Sequence, residues 1–599
     1  MSDAPRDLVT LVQRATTRHA SRPMLAIDRP SGESAGGGER EWVNVTFADL
    51  ARQEVRLRAA LARLGVRAGD RVAVISKNRE EWPVVLAATH ALGAAIVPMY
   101  EMQHEDDWRH ILRDAKARVC FASTDAIYAR IRAMLGDLPD LAHVIGFDRA
   151  AETHADDTSF RHLIDSAHAG EAPLVIPEPG DVAAFIYTSG TTGKPKGVKL
   201  SHHAIAFEMN ALGDEWDMGP GDRTVSILPW AHVGGFCELI LGIDRGSCTA
   251  VPSSFDKLAD AMRVTRPTII VAVPRVWNAL YDAIQKGMAA RPPALRWVWE
   301  AAIVAEKKRR AGVRPRKRER AARRLAQRVL FPAVRAKLGG ELRYAVSGAA
   351  ALSKEIAELF ECIGIPMFEV YGQTETAAVS TANRPGQSKL GTVGRPLRGV
   401  RIEIDASVGD ATDGSGEIVI HTPGAMIGYH GLAAETASVV RDDGGIRTGD
   451  LGRLDADGYL VITGRIREVY KLENGKFVTP VPIEESLTLS PFISQALVWG
   501  WNKPHNVALL VVDAAAVKKW CDANGVRESA DLADARVRDL FAREIEERTR
   551  GCKGYERIVA FALIAEAFTP DNGMLTPTLK LKRSVVLARH KERIDALYA

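Results

Sequence analysis

Cysteine is scarce and scattered in this chain of 599 residues. Its six copies (Cys120, Cys237, Cys248, Cys362, Cys521 and Cys552) form no CxxC pair and no histidine spacing of a metal site. That excludes a disulfide framework and a thiolate-based structural metal, and fits a reducing compartment. Net charge is also small: 79 Lys and Arg against 75 Asp and Glu leave a formal +4, so no global field favours nucleic acid. The opening MSDAPRDLVTLVQRA has no apolar signal core, and no run is long enough to span a bilayer. The expectation is a cytoplasmic protein whose membrane contact, if any, is peripheral to the inner face of a membrane. No internal repeat is visible.

What is present is the material of a large globular enzyme. A composition of 46% hydrophobic and 26% charged residues is ordinary, and the length exceeds what one hydrophobic core serves. RVAVIS (Arg71 to Ser76), EWPVVLAATHALGA and AIVPMY (Ala95 to Tyr100) alternate strand-like and helix-like patterns, and the last two predict a strand–helix–strand unit. This favours an α/β layered fold.

The densest chemical signal is YTSGTTGKPKGV, Tyr187 to Val198. Thr188, Ser189, Thr191 and Thr192 offer hydroxyls, Gly190, Gly193 and Gly197 let backbone N–H groups turn inward, and Lys194 and Lys196 add positive charge. Together these suit a polyphosphate. The apolar run DVAAFIY (Asp181 to Tyr187) predicts a buried strand leading into the loop. It is not a Walker loop: Pro195 stands where Ser or Thr would follow Gly193-Lys194, and no glycine precedes Gly193 by five residues.

With this loop the sequence resembles the adenylate-forming enzymes: acyl-CoA synthetases, luciferases and peptide adenylation domains. The resemblance continues at LPWAHVGG (Leu228 to Gly235), VPRVW (Val273 to Trp277), SGAAALS (Ser347 to Ser353), YGQTE (Tyr371 to Glu375), RTGDLG (Arg447 to Gly452), GRIREV (Gly464 to Val469) and LTPTLKLKR (Leu575 to Arg583). It implies a large multi-subdomain N-terminal domain over residues 1–466 and a small mobile α+β domain over 467–599, joined at a hinge with Arg467. It also implies ATP and Mg²⁺ as cofactors, with coenzyme A as a substrate.

Activating a carboxylate means bringing it against the α-phosphorus of ATP, anion against anion. Such a site needs cations and a metal around the phosphates. The resemblance assigns phosphate binding to Thr188, Ser189, Gly190, Thr191, Thr192, Gly193 and Lys196. It gives Thr188 and Glu375 to the metal and Thr374 to the α-phosphate region, within the turn that contains Gly372. Gly348 and Ala349 would lie against adenine, with Tyr371 on its other face. Asp450 would accept the ribose hydroxyls, a sensible role for a carboxylate facing a diol, and Arg465 would reach the nucleotide. His232 would stand beside the carboxylate, with Phe236 as a candidate acyl gate. Lys580 would swing in as the catalytic lysine. Lys476 stands where relatives carry an arginine and would meet phosphate after the domain rotates.

LTPTLKLKR, VPRVWNALYDAI and ENGKFVTPVPIEE look most like long-chain and bubblegum-type fatty acyl-CoA synthetases. The expected activity is ATP-dependent conversion of a long-chain fatty acid to acyl-AMP and then acyl-CoA. Two alternatives stay open: an acyl-AMP ligase that loads a separate carrier protein, and a non-catalytic nucleotide or acyl-CoA sensor. No amine-binding acid of an amino-acid adenylation domain can be placed, and the chain ends soon after the lysine loop, so free CoA is the expected acceptor. Finally, Lys307 to Arg324 holds eleven Lys and Arg in eighteen residues, with Pro315 predicted to interrupt any helix. This run is either a contact for an anionic membrane surface or a solvated insertion; without interleaved aromatics it is a poor nucleic-acid site.

Overall fold

The computed structural model describes residues 5–30, 40–149, 159–167, 172–188, 194–408, 414–526, 532, 534–576 and 580–599. The apolar runs become the central strands of a seven-stranded sheet. Its spatial order is Gly428–Tyr429, Lys196–Ser201, Val182–Thr188, Ala95–Met99, Arg71–Ile75, Val119–Ala122 and His143–Gly146. The last five are parallel, with Arg71 beside Ala95 and Val72 beside Val119. Each of the four after Val182–Thr188 is buried on both faces, which explains their unbroken hydrophobic character. The predicted helix forms over Glu81–His90 and returns the chain to Ala95–Met99.

A second sheet places Ile269–Ala272, Tyr344–Ser347 and Met367–Tyr371 in parallel and continues through two short antiparallel strands. A third, wholly antiparallel, is built from Arg401–Asp405, Gly416–His421, Ile446–Leu454 and Leu460–Arg465. The motifs that carry the resemblance sit at the ends or turns of these sheets, where backbone groups are released from strand pairing.

From Tyr470 onward the chain has hydrophobic clusters of its own. One joins Tyr470, Ile483 and Val498 to Phe541; the other gathers Leu509, Phe568 and Ile594. Both pack on the sheet Ile493–Trp499, Asn506–Val512 and Ile558–Ile564. Contacts with the rest of the chain include Leu489, which packs on the cluster around Trp277, and Arg548, which pairs with Glu355 at 3.8 Å.

The basic run is a helical hairpin of Pro293–Arg310 and Lys317–Arg328, and Pro315 lies in the connection, as its missing N–H requires. Five of its cations are committed to nearby acids. Lys307 pairs with Glu358 at 2.7 Å, Lys308 with Glu319 at 2.6 Å, and Arg310 with Glu361 at 2.5 Å. Buried Glu306 takes both Arg309 and Arg323.

Candidate active site

Hairpin pairing brings two separate motifs together. Asp450 and Arg465 are register partners on adjacent strands, and Arg465 Nε lies 2.8 Å from Asp450 Oδ1. The other carboxylate oxygen of Asp450 accepts from the Tyr371 hydroxyl at 2.8 Å. Burial first, and then the charge of Asp450, hold the Tyr371 phenol well above its ordinary range, so it stays a donor. Asp450 is itself nearly inaccessible, and its backbone N–H is taken by Thr448. An aromatic, a carboxylate and a guanidinium are thereby locked in one arrangement.

Glu375 belongs to the 3₁₀ turn Thr374–Thr376 that follows the strand ending at Tyr371. Gly372 permits this turn, because a Cβ there would lie 2.2 Å from the Ala378 carbonyl oxygen. Glu375 Oε1 accepts from the Tyr429 hydroxyl at 2.7 Å, and its other oxygen has no protein donor among the described residues. Tyr429 lies on the strand beside Lys196–Ser201, and the Lys196 ammonium sits 5.6 Å from its ring centroid. A carboxylate so oriented, near a lysine and the strand end at Thr188, suits a hard cation that takes one or two carboxylates and completes its shell with water and phosphate. Another acidic group, Glu403, His421 and Asp443, is already neutralised by Arg441, which lies 2.7 Å from Glu403 and 3.1 Å from Asp443.

Ala349 follows the strand Tyr344–Ser347 with φ of +70°, a left-handed conformation that disfavours any side chain. A Cβ on neighbouring Gly348 would come within 2.9 Å of Val370. Non-glycine residues held in the left-handed region cluster at ligand sites.

His232 caps the helix Val233–Arg245, its Nδ1 accepting from the Gly234 N–H at 3.1 Å. Burial, with a smaller push from the charge of Lys580, brings its pKa down to about 4. The ring is therefore neutral at physiological pH and carries its proton on Nε2. Phe236 is fully buried, edge-on to Trp82 at 6.0 Å, with Trp230 against the same indole at 5.9 Å. It is a packing residue rather than a free gate.

Lys580 enters from the C-terminal part. Thr576 fixes its backbone, Oγ1 accepting from the Lys580 N–H at 3.0 Å. Its ammonium is in the electrostatic field of Arg465, Asp450, Glu468 and Glu375, and desolvation, reinforced by Arg465, lowers its pKa. The side chain is nonetheless exposed to solvent. Lys580, His232, Asp450, Arg465 and Glu375 thus share one site although they span 348 positions, from 232 to 580.

Two further residues, expected at the hinge and in the rotated state, lie outside this cluster. Lys476 is exposed in the hairpin turn between Tyr470–Lys471 and Phe477–Val478, its ammonium 5.9 Å from the Tyr555 ring centroid. Arg467 lies in the turn just past Arg465, its charge felt at Tyr429. Ser189, Gly190, Thr191, Thr192, Gly193 and Pro577 lie outside the described residues. Tyr429 and Glu468 were missed from the sequence. Tyr429 has no signal beyond an aromatic after a glycine, and Glu468 is one acid in a charged turn.

The AMP-binding enzyme family matches residues 12–430, and its C-terminal domain matches residues 468–599. The chain is 32% identical to the long-chain-fatty-acid–CoA ligase FadD15 of Mycobacterium tuberculosis, covering 93% of this chain and 92% of that protein. It is 30% identical to the peroxisomal long chain acyl-CoA synthetase 7 of Arabidopsis thaliana, over 94% of this chain and 82% of that one. Among solved structures, the adenylation domain of a carboxylate reductase from Mycobacterium chelonae matches with a TM-score of 0.80 at 23% identity, covering 99% of this chain and 91% of that chain. ATP-bound MatB from Rhodopseudomonas palustris matches at 0.70 and 21%, over 98% and 99%.

Proposed function

This chain belongs to the AMP-binding enzyme family, and we propose on that footing that it is an ATP-dependent long-chain fatty acid:CoA ligase. The observation that carries this is the convergence of Lys580 on Asp450, Arg465 and Glu375. A cation from one part of the chain lies within electrostatic reach of an acid set from the other, where a carboxylate and a triphosphate would meet. Asp450 takes the ribose diol and Tyr371 the face of adenine. Neutral His232 offers its Nε2–H beside the fatty carboxylate, orienting it without adding charge. Mg²⁺ fits at Glu375 with Thr188 and would offset phosphate charge there. Lys580 draws the two anions into line, yielding acyl-AMP and pyrophosphate. Rotation of residues 467–599 about Arg467 then withdraws Lys580, presents Gly475 and Lys476, and admits CoA, whose thiolate displaces AMP.

The resemblance of the whole chain to long-chain ligases supports the acyl preference. Each methylene buried in an apolar tunnel contributes about 0.8 kcal/mol, so the eight that separate butanoate from dodecanoate come to about 6 kcal/mol until the tunnel is full. AMP release measured across chain lengths, with and without CoA, should rise steeply from short to long acids. Equal turnover of acetate or of an amino acid would sink the long-chain assignment. Discharge of the adenylate by a holo-carrier protein and not by CoA would favour the carrier-loading alternative, and no acid-dependent ATP–pyrophosphate exchange at all would favour a sensor.

No helix among the described residues is long and apolar enough to cross a membrane. The helical hairpin supports a peripheral contact with an anionic surface. Arg314, Arg316, Lys317, Arg318, Arg320 and Arg324 make no ion pair among the described residues, and Trp297, Val313 and Leu325 are about half exposed on the same hairpin. Basic residues near such a surface contribute about 1 kcal/mol each. Converting Arg314, Arg316, Arg318 and Arg320 to glutamine should weaken binding to phosphatidylglycerol vesicles at low salt and leave turnover of detergent-dispersed substrate unchanged. Undiminished vesicle binding would identify the run as a solvated face.

A further inference from the structure

At the far end of the helix that His232 caps lies a second cleft, of about 930 Å³. Its walls are the helices Leu8–Arg18 and His202–Glu215, the last turn of Val233–Arg245, and the segment around Arg398. The connecting helix has 13 residues, so at about 1.5 Å per residue the cleft is roughly 20 Å from the catalytic histidine.

Five arginines converge here: Arg6, Arg14, Arg18, Arg245 and Arg398. Two acids, Asp214 and Asp244, accompany them. Five minus two leaves +3 in one cleft, against +4 for the entire chain. The acids act as shared braces. Asp244, with its side chain only 2% exposed, takes Arg14 at 2.7 Å and Arg245 at 3.1 Å. Asp214 takes Arg245 at 2.9 Å and Arg398 at 3.1 Å. Arg6 and Arg18 are exposed and have no ion pair among the described residues. The basic hairpin is a useful contrast: there the inward cations each find an acid, and the rest lie along one local stretch. Here the cations come from three distant parts of the chain, and the fold holds them around a cavity in spite of their mutual repulsion.

We infer that this cleft binds the polyphosphate group of an adenine nucleotide, at a site separate from the catalytic one and additional to the proposed reaction. Arg245 spends its donors on Asp214, Asp244 and the carbonyls of Met209 and Asn210 and acts as a brace, while the guanidinium groups of Arg6, Arg14, Arg18 and Arg398 around it are suited to phosphate oxygens. The cavity volume is that of a small-molecule site. Half-buried Phe207, with Met218 and Pro220, supplies an apolar wall for a flat base. ATP and the 3′-phospho-ADP portion of CoA share this chemistry.

The test is calorimetry on the full chain after its catalytic nucleotide site has been filled with a non-reactive dodecanoyl-sulfamoyl-adenosine. ATP, CoA and inorganic tripolyphosphate are then titrated separately into wild type and into the double variant Arg6→Glu, Arg18→Glu. The inference requires a further equivalent of ATP or CoA to bind wild type, tripolyphosphate to compete for it, and the double variant to bind at least about tenfold more weakly. CoA also enters the catalytic site of the adenylate-bound protein, so the source is whichever of ATP and CoA loses affinity in the double variant and is displaced by tripolyphosphate. Both substituted residues are exposed and far from the chemistry, so thermal unfolding and basal turnover should match wild type; Arg18→Ala alone, with a smaller loss, serves if the double variant does not fold. No binding to the analogue-filled protein, or binding that these substitutions leave unchanged, overturns the inference.

Discussion

Replacing Lys580 with alanine should reduce ATP–pyrophosphate exchange by about two to three orders of magnitude, the range seen when one preorganised charge-stabilising group is removed from an active site. The same variant should form thioester from supplied acyl-AMP and CoA at close to the wild-type rate. The asymmetry follows from position. In the orientation described, the Lys580 ammonium lies in the electrostatic field of Asp450, Arg465, Glu468 and Glu375, where the proposed reaction brings a carboxylate to a triphosphate. Desolvation lowers its pKa, and the neighbouring acids only partly offset this, so the cation is short of counter-charge until anionic substrates arrive. Once acyl-AMP exists, negative charge has left with pyrophosphate and the lysine has no further anion to bridge. Equal loss in both half-reactions would show that Lys580 has a general structural role instead.

Arg467→Pro should give the opposite pattern: retained pyrophosphate release, with thioester formation lowered by about a hundredfold, the scale expected when reacting groups are held out of place by on the order of 1 Å or more. The turn at Arg467 follows the strand that ends at Arg465, whose carbonyl accepts from the N–H groups of Glu468 and Val469 at 3.0 Å. A rotation of everything beyond must be absorbed by the dihedrals of these few residues. Proline fixes one φ and restricts the residue before it. Arg467→Ala leaves the dihedrals free and should preserve both steps, which separates loss of the side chain from loss of rotation. Both half-reactions assayed in both variants give the answer. If Arg467→Pro slows the two steps by the same factor, domain alternation about this residue is wrong for this chain.

Much of the frame was legible before any coordinates. Strand runs such as Val182–Thr188 and Arg71–Ile75 are buried on both faces and read as continuous apolar stretches, and the break at Pro315 is local chemistry. Motif residues were legible by resemblance, because each lies on one short segment at a fixed spacing. Long-range placement was not. Tyr429 reaches Glu375 only because its short strand joins the edge of the seven-stranded sheet, and no periodicity announces a two-residue strand. Phe236 resembled a gate because its neighbours lay in a motif, yet its burial is decided by Trp82, 154 positions earlier. The basic run hid its partners in the same way: Glu306 is adjacent in sequence, but Glu358 and Glu361 come from another helix.

Arg465 occupies two positions in the energetics at once. It is bonded to the acid that would hold the ribose, and it is the last strand residue before the turn on which the small domain would pivot. Any reorientation that loosens the Arg465–Asp450 pair must therefore change nucleotide affinity, and by thermodynamic reciprocity the nucleotide must bias the orientation by the same factor. On such a pivot a bound adenylate would favour whichever pose keeps that pair intact, and departure of AMP would remove the bias. The exit of one product would then reset the protein for its next substrate, with no separate signal needed.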